Sequence, residues 1–95
     1  MKIYVNETRE VINLDYVVRA VYEPDVVAYK SKYDGCVYRT VFSGDKPDYE
    51  EVQGELTLLG ADFSPEVNAT IGRFYGLLAV KIWDAILKHQ VDLII

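Results

Sequence analysis

The stretch SPEVNATIGRFYGLLAVKIWDAILKHQ, Ser64–Gln90, is the one place in the chain where an unbroken helical period follows a readable start. Ser64 can cap a helix through its hydroxyl. Pro65 suits the first helical position, where its missing N–H costs nothing, and Glu66 complements the positive end of the helix dipole. Val67 stands where a capping box needs Glu or Gln, so only half of that motif is present. At about 100° per residue, Val67, Ile71, Phe74, Tyr75, Leu78, Ile82 and Ala85 share one face, which we assign to a sheet. Glu66, Thr70, Arg73, Lys81, Asp84 and Lys88 form a narrow polar arc beside it.

The remaining arc is smooth. Ala69, Gly72, Gly76 and Ala79 lead on to Val80, Trp83 and Leu87, away from the sheet side. A glycine inside a helix costs about 1 kcal/mol relative to alanine, which close approach of another backbone would offset. The stripe Ala69, Gly72, Gly76, Ala79, Trp83 and Leu87 is therefore read as a homo-oligomer interface, with intrachain packing as the alternative. Val91–Ile95 is too apolar for a free tail and reads as a last strand or as part of the same contact.

Ahead of the helix the chain reads as β-structure. Met1, Ile3 and Val5 alternate with Lys2, Tyr4 and Asn6, as on a half-buried strand, and Asn6–Glu10 follows as a polar turn. Val11–Leu14 and Tyr16–Tyr22, rich in Val, Ile and Tyr, read as two short strands bent near Asp15. Glu23-Pro24-Asp25 is expected to turn. Val26–Lys32 and Val37–Phe42 flank Asp34-Gly35, the hairpin signal whose turn needs positive φ. A two-residue loop would set Lys30 against Arg39, a like-charge pair. A three-residue bulged loop would instead set Tyr29 beside Arg39 and Lys30 beside Tyr38, and is preferred because cations and rings attract. Ser43–Asp48 is a loop, after which Val52, Gly54, Leu56 and Leu58 alternate with Glu51, Gln53, Glu55 and Thr57. The expected architecture is α+β: an antiparallel sheet of about five strands with one long C-terminal helix packed on one face, in a single domain spanning residues 1–95.

Composition limits the function classes. The N-terminus breaks into charge after a few apolar residues, so it reads as neither a signal peptide nor a membrane span, and a soluble cytoplasmic protein is expected. Cys36 is the only cysteine, which excludes an internal disulfide. With one histidine, His89, placed where it complements a helix C-terminus, no conventional zinc site is expected. No phosphate-binding glycine loop and no Gly-x-Ser-x-Gly motif occurs. We therefore expect a non-enzymatic protein without a cofactor or metal.

The net charge of −5 lies wholly in the second half, because acids and bases balance through Phe42. Asp48, Glu50, Glu51, Glu55 and Asp62 form the expected partner-binding surface, directed at a basic protein. The second feature is an excess of tyrosine, 8 residues in all. Tyr29, Lys30, Lys32, Tyr38 and Arg39 form an alternative face for single-stranded nucleic acid, through base stacking and phosphate attraction. A pI of about 4.7 opposes that alternative.

The run Val11-Ile12-Asn13-Leu14-Asp15-Tyr16-Val17, followed by a hairpin ending Val41-Phe42-Ser43-Gly44, resembles small phage and mobile-element accessory proteins of the anti-defence kind. The resemblance implies an acidic α+β inhibitor, acting in the host cytoplasm, of a nucleic-acid-handling complex such as a CRISPR effector. No single family matches throughout, and the resemblance carries over no functional residue.

Overall fold

The computed structural model describes residues 1–40, 48–61, 68–89 and 91–94. Strands β1 (Lys2–Val5) and β2 (Glu10–Asn13) form an antiparallel pair with Ile3 opposite Ile12 and Tyr4 opposite Val11. Alternation along β1 is as read, since Val5 is buried while Lys2 and Tyr4 are exposed. Arg9 closes the turn at φ 56°, a left-handed conformation that non-glycine residues adopt at a cost.

The expected bend at Asp15 is a short 3-10 turn over Leu14–Tyr16. Asn13 caps it, its Oδ1 accepting from the Asp15 N–H at 3.1 Å, and the Met1 amino group pairs with Asp15 at 3.2 Å. Strand β3 then runs unbroken from Val17 to Ser31, so Glu23-Pro24-Asp25 does not turn. It bulges instead: Glu23 pairs with Glu55 and Val27 with Gln53, which leaves residues 24–26 against Gly54 alone. Gly54 sits at φ 98°, which permits the irregularity, and a bulge is one of the few places a strand accepts proline.

Strands β4 (Val37–Tyr38), β5 (Tyr49–Ala61) and β6 (Asn68–Tyr75) complete a four-stranded antiparallel sheet in the order β4-β3-β5-β6. The chain is thus α+β as expected, with, among the described residues, four strands in one sheet and two in another rather than about five together. The Asp34-Gly35 hairpin forms, but Tyr29 pairs with Tyr38 and Lys30 with Val37, so neither expected register is adopted. The loop is longer because its own polar groups stabilise it. The Ser31 hydroxyl accepts from the Tyr33 N–H, the Asp34 carboxylate accepts from the Cys36 N–H at 2.9 Å, and Gly35 supplies the positive φ, 73°.

The largest correction concerns the helix. Helix α1 spans Gly76–His89, and Asn68–Tyr75, read as its first half, is β6. Thr70, Ile71, Phe74 and Tyr75 are residues that a pleated surface suits, and two glycines weaken a helix there. Pairing Phe74 with Leu56 and Gly72 with Leu58 supplies a core face in a strand period, and Gly76 at φ 64° turns the chain from strand into helix. The expected cap at Ser64, Pro65 and Glu66 lies outside the described residues, as does Val67; the helix that forms begins well beyond them.

One smooth helical stripe therefore does not exist. Ala69 and Gly72 lie on β6, Gly76 is the strand-to-helix junction, and Ala79 is buried in the core. Trp83, expected to face away from the sheet, stacks on Tyr22 of β3 with ring centroids 5.8 Å apart. Lys81, Asp84 and Lys88 do face solvent. A single apolar cluster joins Val5 and Leu14 to Leu56, Leu58 and Phe74 of the sheet and to Ala79, Ile82 and Ile86 of the helix. Val91–Ile94 is neither strand nor helix, and Leu93 and Ile94 are exposed.

Candidate functional site

Alternation along β5 divides the sheet into two faces. Leu56 and Leu58 point to the helix, and Glu55 and Thr57 to the other side. Glu55 is nevertheless fully buried, at 0% exposure. Arg39, just beyond β4, grips it with both Nε and Nη2, the Nε donating to Oε2 at 3.0 Å, and the Thr57 hydroxyl donates to Oε1 at 3.3 Å. Burial pushes the Glu55 carboxyl up, but the Arg39 hydrogen bonds and charge, with Thr57 and Tyr75, outweigh it and hold the group below the usual carboxylate range. Tyr75, opposite Glu55 in the register, is pushed up by burial and by that same carboxylate. Glu55 is thus a fixed anion with both oxygens engaged, suited to clamping the segment after β4 onto the sheet and unsuited to donating a proton at neutral pH.

The clamp changes both expected surfaces. It removes Glu55 from the acidic set, correcting its reading as a partner-facing residue, and it ties Arg39 of the tyrosine face to a carboxylate. The structure also interleaves the two sets. Tyr29 lies between Tyr38 and Glu51, and Lys30 between Val37 and Glu50. Of the remaining acids, Glu50 and Glu51 are exposed on opposite faces of β5, and Asp48 is half-buried with its carbonyl accepting from the Lys32 N–H at 2.9 Å. Asp62 lies outside the described residues. Tyr38 packs edge-on against Tyr49 and is held above the ordinary phenol range first by the Asp34 carboxylate.

What sequence reading missed is a groove of about 1190 Å³ on the helix side, between the β1–β2 turn, the start of α1 and the β3–β4 end of the sheet. Val37, Val52, Phe74, Leu77, Leu78 and Val80 supply its apolar wall, and Leu77 is 80% exposed. Among the described residues, Glu7, Glu10, Asp34 and Glu50 line it against Lys30 and Arg73 as the only cations. Glu7, Glu10 and Glu50 have no ion-pair partner among the described residues. Glu7 and Glu10 belong to what reads in sequence as an ordinary polar turn. Only the packing of the β1–β2 pair beside the helix start brings them to Glu50.

Among the described residues no group of three or more His, Cys, Asp or Glu is placed to hold a metal ion, and no helix is long and apolar enough to cross a membrane. Cys36 is a free, exposed thiol. Comparison with protein-family models, with curated proteins and with solved structures finds no match.

Proposed function

We propose that the chain is a non-enzymatic protein-binding module whose acid-lined groove takes a cationic, partly apolar segment of a partner protein. The observation that carries this reading is the combination in one groove of exposed Leu77 with four carboxylates against two cations. Apolar contact would supply affinity, and the excess negative charge would select the partner and orient it on approach. The acidic surface of this reading is thus Glu7, Glu10, Asp34 and Glu50, in place of the β5 row. A nucleic-acid-handling complex has basic surfaces of the required kind, and an inhibitor of such a complex is one form this module could take.

A fluorescent peptide of alternating Lys and Leu tests the idea by anisotropy at low and at physiological salt. Binding is expected, weakening with salt and falling at least about tenfold when Glu7, Glu10 and Glu50 are changed together to Lys. Leu77→Glu should also weaken it, by loss of apolar contact. Affinity unchanged by both variants would defeat the proposal. So would tighter binding of a single-stranded oligonucleotide than of the peptide, the outcome expected of a nucleic-acid face.

A further inference from the structure

Strand β3 is bonded along one side to β5, but on its other side it meets β4 only at Tyr29 and Lys30. Among the described residues its outer edge from Val17 to Ala28 therefore has no strand partner. Two irregularities, between Val17 and Arg19 and between Glu23 and Val27, confine the regular part of this edge to Arg19-Ala20-Val21-Tyr22-Glu23. An open run of backbone donors and acceptors is a template for another strand, and Pro24 with the adjoining bulge limits where that strand can lie.

The five residues are complementary to themselves. We propose that β3 pairs antiparallel with β3 of a second copy about a two-fold axis through Val21, joining two sheets of four strands into one. An axis normal to the sheet keeps each face on its own side, so one residue must lie opposite itself. With Val21 on the axis, Ala20 meets Tyr22, and Arg19 meets Glu23 twice. An axis at Ala20 sets Arg19 against Val21. An axis at Tyr22 brings Pro24, which has no N–H, opposite Ala20. The Tyr22 axis also sets Arg19 opposite Asp25, but Asp25 lies in the bulge; within the regular run Arg19–Glu23 only the Val21 register joins opposite charges.

Three observations support a second copy as the occupant. Arg19 and Glu23 are both exposed, and neither has an ion-pair partner among the described residues. Glu23 also lies opposite Glu55 of β5, whose carboxylate already holds Arg39, so an incoming Arg19 would bring Glu23 a cation of its own. Along the same edge, on the helix side, a cleft of about 310 Å³ is lined by Val17, Val18, Arg19, Ala20, Trp83 and Leu87, and Val18 is 58% exposed. The homo-oligomer expected through the helix is thereby relocated to a strand edge. The cleft and the acid-lined groove share no residue, so this contact stands or falls apart from the groove.

Sedimentation equilibrium over about 1 µM to 1 mM protein tests the contact, with two charge reversals. Wild type should reach a dimer. Arg19→Glu and Glu23→Arg should each weaken association at least about tenfold, and the double variant, which restores opposite charges, should recover it. In a Cys36→Ser background, Val21→Cys should oxidise to a covalent dimer, because residues facing across an antiparallel pair have Cα atoms roughly 4.5–5.5 Å apart, within disulfide reach. Val27→Cys in the same background, exposed but off the axis, should not. A monomer throughout the range overturns the proposal, and so does a dimer indifferent to the single reversals or a Val27→Cys protein that cross-links as readily.

Discussion

Glu55 and Leu56 are neighbours on one strand, point to opposite faces, and are both wholly buried, by different means. Leu56 is covered by a cluster drawn from both sheets and the helix. Glu55 is covered by the Arg39 guanidinium, itself half-exposed, and by groups that hydrogen-bond it. The apolar side needs only many partners of the right size. The polar side needs one partner of the right charge from a distant segment, so its stability is concentrated in few atoms and depends on pH.

The comparison is broken most severely from the apolar side. Leu56→Ala removes a fully buried side chain at the centre of the cluster and should cost about 3–4 kcal/mol, as a leucine cavity does. Urea denaturation would read it as a lowered midpoint with little change in slope.

On the polar side, Arg39→Ala should cost about 2–3 kcal/mol at neutral pH, because it leaves a buried carboxylate without its cation. Its pH dependence separates the two kinds of burial. In the native protein Glu55 lies below its unfolded value, so its contribution is present above the unfolded pKa and is lost as pH falls through the lower, folded one. Without Arg39 only burial and neutral hydroxyls remain. The carboxyl should then rise above its unfolded value, and protonation would relieve the variant. The stability gap between wild type and Arg39→Ala is therefore expected to narrow as pH falls from about 7 to about 5. A gap that widens over that range would show that Arg39 does not govern Glu55.

That contrast also explains what could be read from the sequence. Alternation in Lys2–Val5 and in Val52–Leu58, the bend at Asp15 and the hairpin at Asp34-Gly35 are local signals, and the structure contains each. The start of α1 could not be read because Ile71, Phe74 and Tyr75 satisfy a helical face as well as a strand. What decides between them is pairing with Leu56 and Leu58, which is not local. Glu55 read as solvent-facing for the same reason: the alternation placed it correctly off the core, and nothing nearby announces Arg39. The groove draws on four separated stretches of chain, so of its acids only Glu50 reads from the sequence as part of a partner surface.

Gly54 stands beside the two residues and sets the bulge opposite Pro24. At φ 98° a side chain is strained, and an added Cβ would lie 3.1 Å from the Tyr22 hydroxyl, whose ring stacks on Trp83. Gly54→Ala should cost about 1–2 kcal/mol and disturb both faces together. Near-UV circular dichroism should register the altered Tyr22–Trp83 stack even where the protein remains folded.

The smallest effect is the sharpest control. Glu51 lies on the same face of β5 as Glu55, opposite Tyr29, but it is exposed. Glu51→Gln should change stability by no more than about 0.5 kcal/mol, since solvent already screens its charge. Glu55→Gln keeps the shape but weakens the grip on Arg39 and should cost about 1–3 kcal/mol while flattening the acid-side slope. If the two substitutions matched in cost, carboxylate burial on this face would contribute nothing beyond ordinary surface charge. If they differ as expected, the open face is held by one clamp, and the acids around it are available for other contacts.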